Sequence, residues 1–230
     1  MNVDLTKIIE RTTLDQKREA ARASKKPRTL KKILRMAERA LARADRAIAE
    51  AEDVLPPQPP IACKAGCPFC CHIRLTASAP EVLLLLTHIQ TTWAEDDVQG
   101  LLGKVRNLDG VTRGKSDHKR AQQRLPCPLL KDGSCSVHQV RPLSCRAVAS
   151  VDVGACREAY NARMESGVPM YEPQYQIANG AGYGLYAGLA QNGLEAENIE
   201  IIAALALGLD DHKIGNKWLK GLDPFAPAKS

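Results

Sequence analysis

Residues 63–81 read "CKAGCPFCCHIRLTASAPE". Four cysteines fall within nine residues, and a helix start follows them directly. Ser78 and Glu81 form an S-x-x-E capping box, with Pro80 inside the first turn, and the helix that they open carries "EVLLLLTHIQTTW". In a capping box the serine and glutamate side chains satisfy backbone N–H groups that the first turn leaves unpaired. A thiol-rich loop therefore runs straight into a strongly apolar helix. The remaining cysteines continue the pattern as Cys127-x7-Cys135-x9-Cys145 and Cys156, with none in the first 60 residues or the last 74.

The flanks of this region are helical. Leu30, Leu34, Ala37, Leu41, Ala44, Ile48, Ala51 and Leu55 recur every three or four residues. That 3.5-residue period is the seam of a supercoiled helix pair, and its alanines would admit a close partner. An earlier helix is expected from Leu5 to about Ala23, with "SKKPRT" as the turn and Pro27 as its breaker. "PPQPP" at 56–60 then ends the hairpin as a stiff spacer. Further helices are expected at 97–107, 153–166, 176–191, 197–209 and 213–220, with a short basic helix inside 108–125. The segment "PCPLLKDGSCSVHQVRPLSCR" at 126–146 reads as loop, with a small hairpin at Asp132-Gly133. Strands do not alternate with helices, which argues against a βαβ fold. The expected fold is mainly α: a basic helical hairpin over 1–58, then a compact helical domain over 61–230 whose cysteine-rich loops form a metal knot.

The net charge of +6 is uneven. Residues 1–50 hold 14 Lys or Arg against 7 Asp or Glu, and the rest holds 18 against 19. A basic hairpin attracts phosphate, so a nucleic-acid or ribosome partner enters as an alternative. Residues 1–68 contain no Phe, Tyr or Trp, however, so base stacking there is excluded. The seam offers a protein partner or self-association instead. No basic and apolar leader opens the sequence and no apolar run is long enough for a membrane span, so a cytoplasmic location is expected. In a reducing compartment, dense cysteines point to metal or redox chemistry rather than disulfides.

Thiolates suit zinc or iron–sulfur clusters, and two sequence-distant groups let one centre tie separate segments together. Grouping makes Cys63, Cys67, Cys70, Cys71, Cys127, Cys135 and Cys145 the candidate ligands. Cys70 and Cys71 are adjacent, so their side chains diverge and one of them is left to a second centre, to a second iron or to no metal. For Cys156 a ligand and a small buried hydrophobe are balanced readings. His72 and His138 are more often second-shell or surface groups than ligands. Lys64, Arg141 and Arg146 are placed to offset thiolate charge. Seven or eight thiols exceed one zinc site, which favours either two sites or an iron–sulfur cluster with spare thiols, and the loop-rich setting tilts the cofactor towards the cluster over zinc. "GVTRGKS" at 110–116 is one residue short of a phosphate-binding loop and has no strand before it.

Together, "CKAGCPFCC" and "CPLLKDGSCSVHQVRPLSCR" resemble the YkgJ-type cysteine-cluster family, named for a CxxCxxCC zinc- or iron-chelating domain. The resemblance covers about residues 61–150. It implies that the seven cysteines above are the chelating set and that Arg141, Pro142, Cys145 and Arg146 form its RPxxCR element. His138 stands where relatives carry an aromatic residue. A second reading is enzymatic, because Cys63-x3-Cys67-x2-Cys70, with Phe69 before the third cysteine, reproduces the triad of radical S-adenosylmethionine enzymes. The cluster also resembles that of the longer flagellin lysine methylases. Tyr160, Tyr171, Tyr175, Tyr183 and Tyr186 all follow the cysteine region and are expected mainly as core packing.

Overall fold

The computed structural model describes residues 3–162 and 167–229. Its helices are α1 (Val3–Ser24), α2 (Leu30–Val54), α3 (Ala79–Thr92), α4 (Glu95–Thr112), α5 (Asp117–Gln123), α6 (Leu143–Ala147), α7 (Val153–Asn161), α8 (Glu172–Ala190), α9 (Ile201–Asp210) and α10 (Ile214–Leu219). Two antiparallel two-stranded ladders join them. β1 (Thr76–Ala77) pairs with β4 (Ile199–Glu200), and β2 (Leu130–Lys131) pairs with β3 (Ser134–Cys135). The mainly α expectation holds. Arg163 and residues 164–166, the end of the expected 153–166 helix, lie outside the described residues; Ala162 is already a turn.

The α2 seam is covered within the chain and by several helices at once. Ala37, Leu41 and Ala44 pack with Leu84 of α3, Leu143 of α6 and Ala181 of α8. Ile48 and Ala51 pack with Leu5 and Ile8 of α1 and Ile177 of α8. A second row, Ile33, Met36, Ala40 and Ala47, is also buried, so the apolar stripe is wider than a two-helix seam requires. The expected partner positions are thus filled by α1, α3, α6 and α8, and Leu55, at 43% exposure, falls outside the contact.

Helix α8 begins four residues earlier than expected because Pro173 fits its first turn. One face is glycine and alanine, and α1 lies directly on it. A Cβ at Gly184 would stand 2.3 Å from the Thr13 carbonyl oxygen, and one at Gly188 would stand 2.4 Å from that of Lys17. Only glycine permits that approach. The tyrosines of α8 consequently point away. Tyr175, Tyr183 and Tyr186 are exposed rather than packed in the core, while Tyr171 is buried and donates to the carbonyls of Ala51 and Leu55 at the end of α2.

Helix α3 is the central element. Val82 to Leu86 and Ile89 are all buried, each side chain contributing about 1.5–3 kcal/mol of transfer free energy. All but Leu84, which faces the α2 seam, share a core with Ile33 and Met36 of α2, Leu185 and Leu189 of α8, Leu205 of α9, Trp218 and Phe225. Glu81 at the start of α3 is buried yet fully occupied. One carboxylate oxygen accepts from the Ser78 N–H (2.9 Å) and hydroxyl (2.6 Å), and the other accepts from the Leu143 N–H at 2.8 Å. The capping box therefore also fixes the start of α6, two residues before Cys145.

Candidate metal centre

Short backbone bonds gather the cysteine segments around the α3 N-terminus. The Cys127 N–H donates to the Cys71 carbonyl at 2.7 Å, and the Ala62 N–H donates to that of Ser150 at 2.8 Å. The hairpin expected at Asp132-Gly133 forms, with both residues at positive φ as its two-residue turn requires. It presents Cys135 on β3, and a Cβ on Gly133 would lie 3.4 Å from the Gly66 carbonyl oxygen, so the two cysteine loops touch back to back. Cys70 and Cys71 sit in a 3-10 turn over Phe69–His72, and Cys145 lies in the middle of α6. All eight cysteines carry free thiols.

Five of them, Cys70, Cys71, Cys127, Cys135 and Cys145, line one cavity of about 70 Å³. Its other walls are Leu75, Leu85, Leu129, Val137, Val148, Ile201, Pro142 and Arg141. Such a lining raises thiol pKa values, because a thiolate there loses water without gaining a cation. Burial pushes Cys127 up to about 11 and also raises Cys135 and Cys145. Cys70 is raised first by its hydrogen bond to Cys71 and then by burial. Burial thus favours the protonated thiol at Cys70, Cys127, Cys135 and Cys145, and a metal that binds there must displace those protons.

Among the described residues no set of three Cys, His, Asp or Glu is already arranged to hold an ion. The donors converge on one cavity but stand around it rather than closed upon a point. The donor chemistry nevertheless fits a thiolate centre. Arg141 lines the cavity, and its Nε is buried without a hydrogen-bond partner. The guanidinium also lowers the pKa values of Cys63, Cys70, Cys135 and Cys145 against the larger effects that raise them. Arg146 acts differently from the expectation. It is buried and spent on Asp45, at 2.5 and 2.8 Å, and on the carbonyls of Gln139 and Arg141, so it staples the loop to α2 instead of facing the thiols. Lys64 is exposed.

Residues 62–166 match the family model described as CxxCxxCC, "putative zinc- or iron-chelating domain". No curated protein and no solved structure matches the chain. The CxxCxxCC match runs beyond residue 150, where the resemblance read from the sequence stopped, and takes in α7 with Cys156. Within this domain His72 holds the Pro68 carbonyl through Nδ1 at 3.0 Å and packs edge-on against Tyr160, with ring centroids 4.9 Å apart. His138 is exposed at the start of a 3-10 turn. Neither histidine lines the cavity.

The basic loop expected to meet phosphate is largely committed inside the fold. Arg113 pairs with Asp109, Arg120 with Glu200, and Arg124 lies 5.2 Å over the Tyr160 ring. No described helix is long and apolar enough to cross a membrane. Ser150, which the sequence did not single out, and Tyr160, which was expected mainly as core packing, hold α7 against the cysteine loops. The signal for Tyr160 was its position four residues after Cys156, one helical turn along the same face.

Proposed function

We propose that the CxxCxxCC domain carries an iron–sulfur cluster in the cysteine-lined cavity, held by Cys71, Cys127, Cys135 and Cys145 with Cys70 alongside. The observation that supports this over a single zinc ion is the space between the thiols. A tetrahedral zinc with Zn–S distances of about 2.3 Å draws its sulfurs to about 3.8 Å from one another and leaves no room at the centre. Five thiols around a cavity of about 70 Å³ suit a polynuclear core better.

When bound, such a cluster supplies one-electron transfer. The chain's own residues do the rest. The cysteines give up their protons on binding, and Arg141 offsets the negative charge that the thiolates then carry. Leu85, Leu129, Val137 and Ile201 keep water from the inner side. Few two-residue ladders and no repeated βα units occur among the described residues, which disfavours the barrel context of radical S-adenosylmethionine enzymes.

Purification without oxygen, a visible spectrum, and a count of iron, sulfide and zinc per chain test this reading. A brown protein with matched iron and sulfide is the expected result. A colourless protein whose cysteines hold only zinc overturns the cluster, and one that retains no metal overturns metal binding altogether.

A further inference from the structure

We propose that a polar cavity between the end of α2, the turn into α6 and the start of α8 binds a free α-amino acid, with its carboxylate on Arg141 and its ammonium on Glu52. The site lies outside the cysteine cavity and does not rest on the metal reading above.

Asp45, Ile48, Ala49 and Glu52 form one wall, and their three- and four-residue spacing puts them on a single face of α2. Arg141, Arg146 and Gln174 close the cavity from the other side. Its volume is about 270 Å³, just under the range of about 300–1,000 Å³ usual for small-molecule pockets, so it suits a compact ligand.

Four charged groups line this space, two of each sign, and only one pair is already engaged. Both Asp45 carboxylate oxygens accept from Nη1 of Arg146. The other Arg146 nitrogens donate to the carbonyls of Arg141 and Gln139, so that side chain has no donor group left without a partner. Arg141 and Glu52 are different. Among the described residues neither side chain makes a hydrogen bond or an ion pair, with each other or with any other group. The Nε of Arg141 is even buried in that condition, and a buried donor favours an acceptor that completes it. Its backbone is fixed, since the Arg141 carbonyl holds Arg146 Nε at 3.1 Å. A guanidinium presents several N–H donors in a planar fork that matches a carboxylate, so facing the thiols does not exhaust it.

The balance of charge selects the ligand. A simple anion would meet Asp45 and Glu52, and a simple cation would meet two guanidinium groups. A molecule carrying both charges bridges Arg141 and Glu52, which do not reach one another, and leaves the net charge of the cavity at zero. An α-amino acid is compact and carries both charges on one carbon. Gln174, which is buried, donates its amide N–H to the Arg146 carbonyl at 2.6 Å and keeps its oxygen as a further acceptor for the ammonium. Ile48 and Ala49 offer an apolar wall to a small side chain.

The protein amino acids, each titrated singly into the full-length chain and followed by NMR, are the probes. At least one is expected to bind at a single site. Its deaminated acid and its decarboxylated amine should each bind at least about tenfold more weakly, because each gives up one charged contact. Glu52→Gln should weaken the amino acid by a similar factor with metal content unchanged, since Glu52 does not line the cysteine cavity. Arg141→Gln should weaken it as well. Failure of every amino acid to bind overturns the proposal. So does binding that both variants leave at the wild-type affinity, which places the ligand elsewhere, and so does a deaminated acid that binds as tightly as the amino acid. Should Arg141→Gln fail to fold, Glu52→Gln decides alone, because the Glu52 side chain holds no hydrogen bond that the fold could lose.

Discussion

The α1/α8 contact and the cysteine loops are held by opposite means. In the first, two helices of 22 and 19 residues meet backbone to backbone over a glycine face, and nothing is left for a ligand to add. In the second, two-residue strands, 3-10 turns and a five-residue helix bring the thiols to one cavity without closing them on a point. The difference assigns stability and function to separate regions. On this division the helical stack is expected to stand without metal, and the loops to gain their final geometry on binding it.

The strongest way to break that comparison is Gly184→Val. Its Cβ would stand 2.3 Å from a backbone oxygen of α1, which cannot move aside as a flexible side chain would. The expected loss is about 3 kcal/mol in a denaturant melt, with metal content per folded chain unchanged. A variant as stable as wild type would show that α1 does not lie on α8 as described. One that folds well but loses metal would show that the two regions are not separate.

Glu81→Gln probes the joint between them. The carboxylate serves the α3 N-terminus through Ser78 and the cysteine loop through Leu143. An amide presents one oxygen where two now accept, so one buried donor loses its partner at about 2 kcal/mol. The loss should appear twice, as a lower melting midpoint and as faster release of metal to a chelator. A lower midpoint with unchanged release would confine Glu81 to helix capping.

How much of this was legible in the sequence follows the same division. The capping box at Ser78, the Asp132-Gly133 hairpin and the helices of the frame were readable, because each rests on local chemistry. The β1–β4 ladder and α6 were not. Glu200 was expected inside a helix and instead pairs with Thr76, and α6 begins inside the segment 126–146 that was expected as loop. Both owe their form to bonds from distant residues, including Ser144 Oγ to the Thr76 carbonyl and Leu143 N–H to Glu81. The alanine seam of α2 was visible as a period, but its occupants were not, since a 3.5-residue repeat does not tell one partner from several. Among the candidate ligands, sequence distance concealed what Ser150 does, because no spacing links it to Cys63.

Arg141→Gln should have the smallest effect on folding and so separates charge from structure most cleanly. The Arg141 carbonyl accepts from Arg146, and that bond survives any change of side chain. Its Nε is buried without a partner, so removing it costs the fold little, about 1 kcal/mol or less. The loss falls on the metal. Without the guanidinium the thiolate charge is less well offset, and reducing a bound cluster adds further negative charge to the same place. The reduction potential should therefore fall in Arg141→Gln and return towards wild type in Arg141→Lys, which restores the charge without the planar donors. An unchanged potential in the glutamine variant would mean that Arg141 does not face the metal. A fall that lysine fails to repair would mean that hydrogen bonding by the guanidinium, rather than its charge, is what the centre uses.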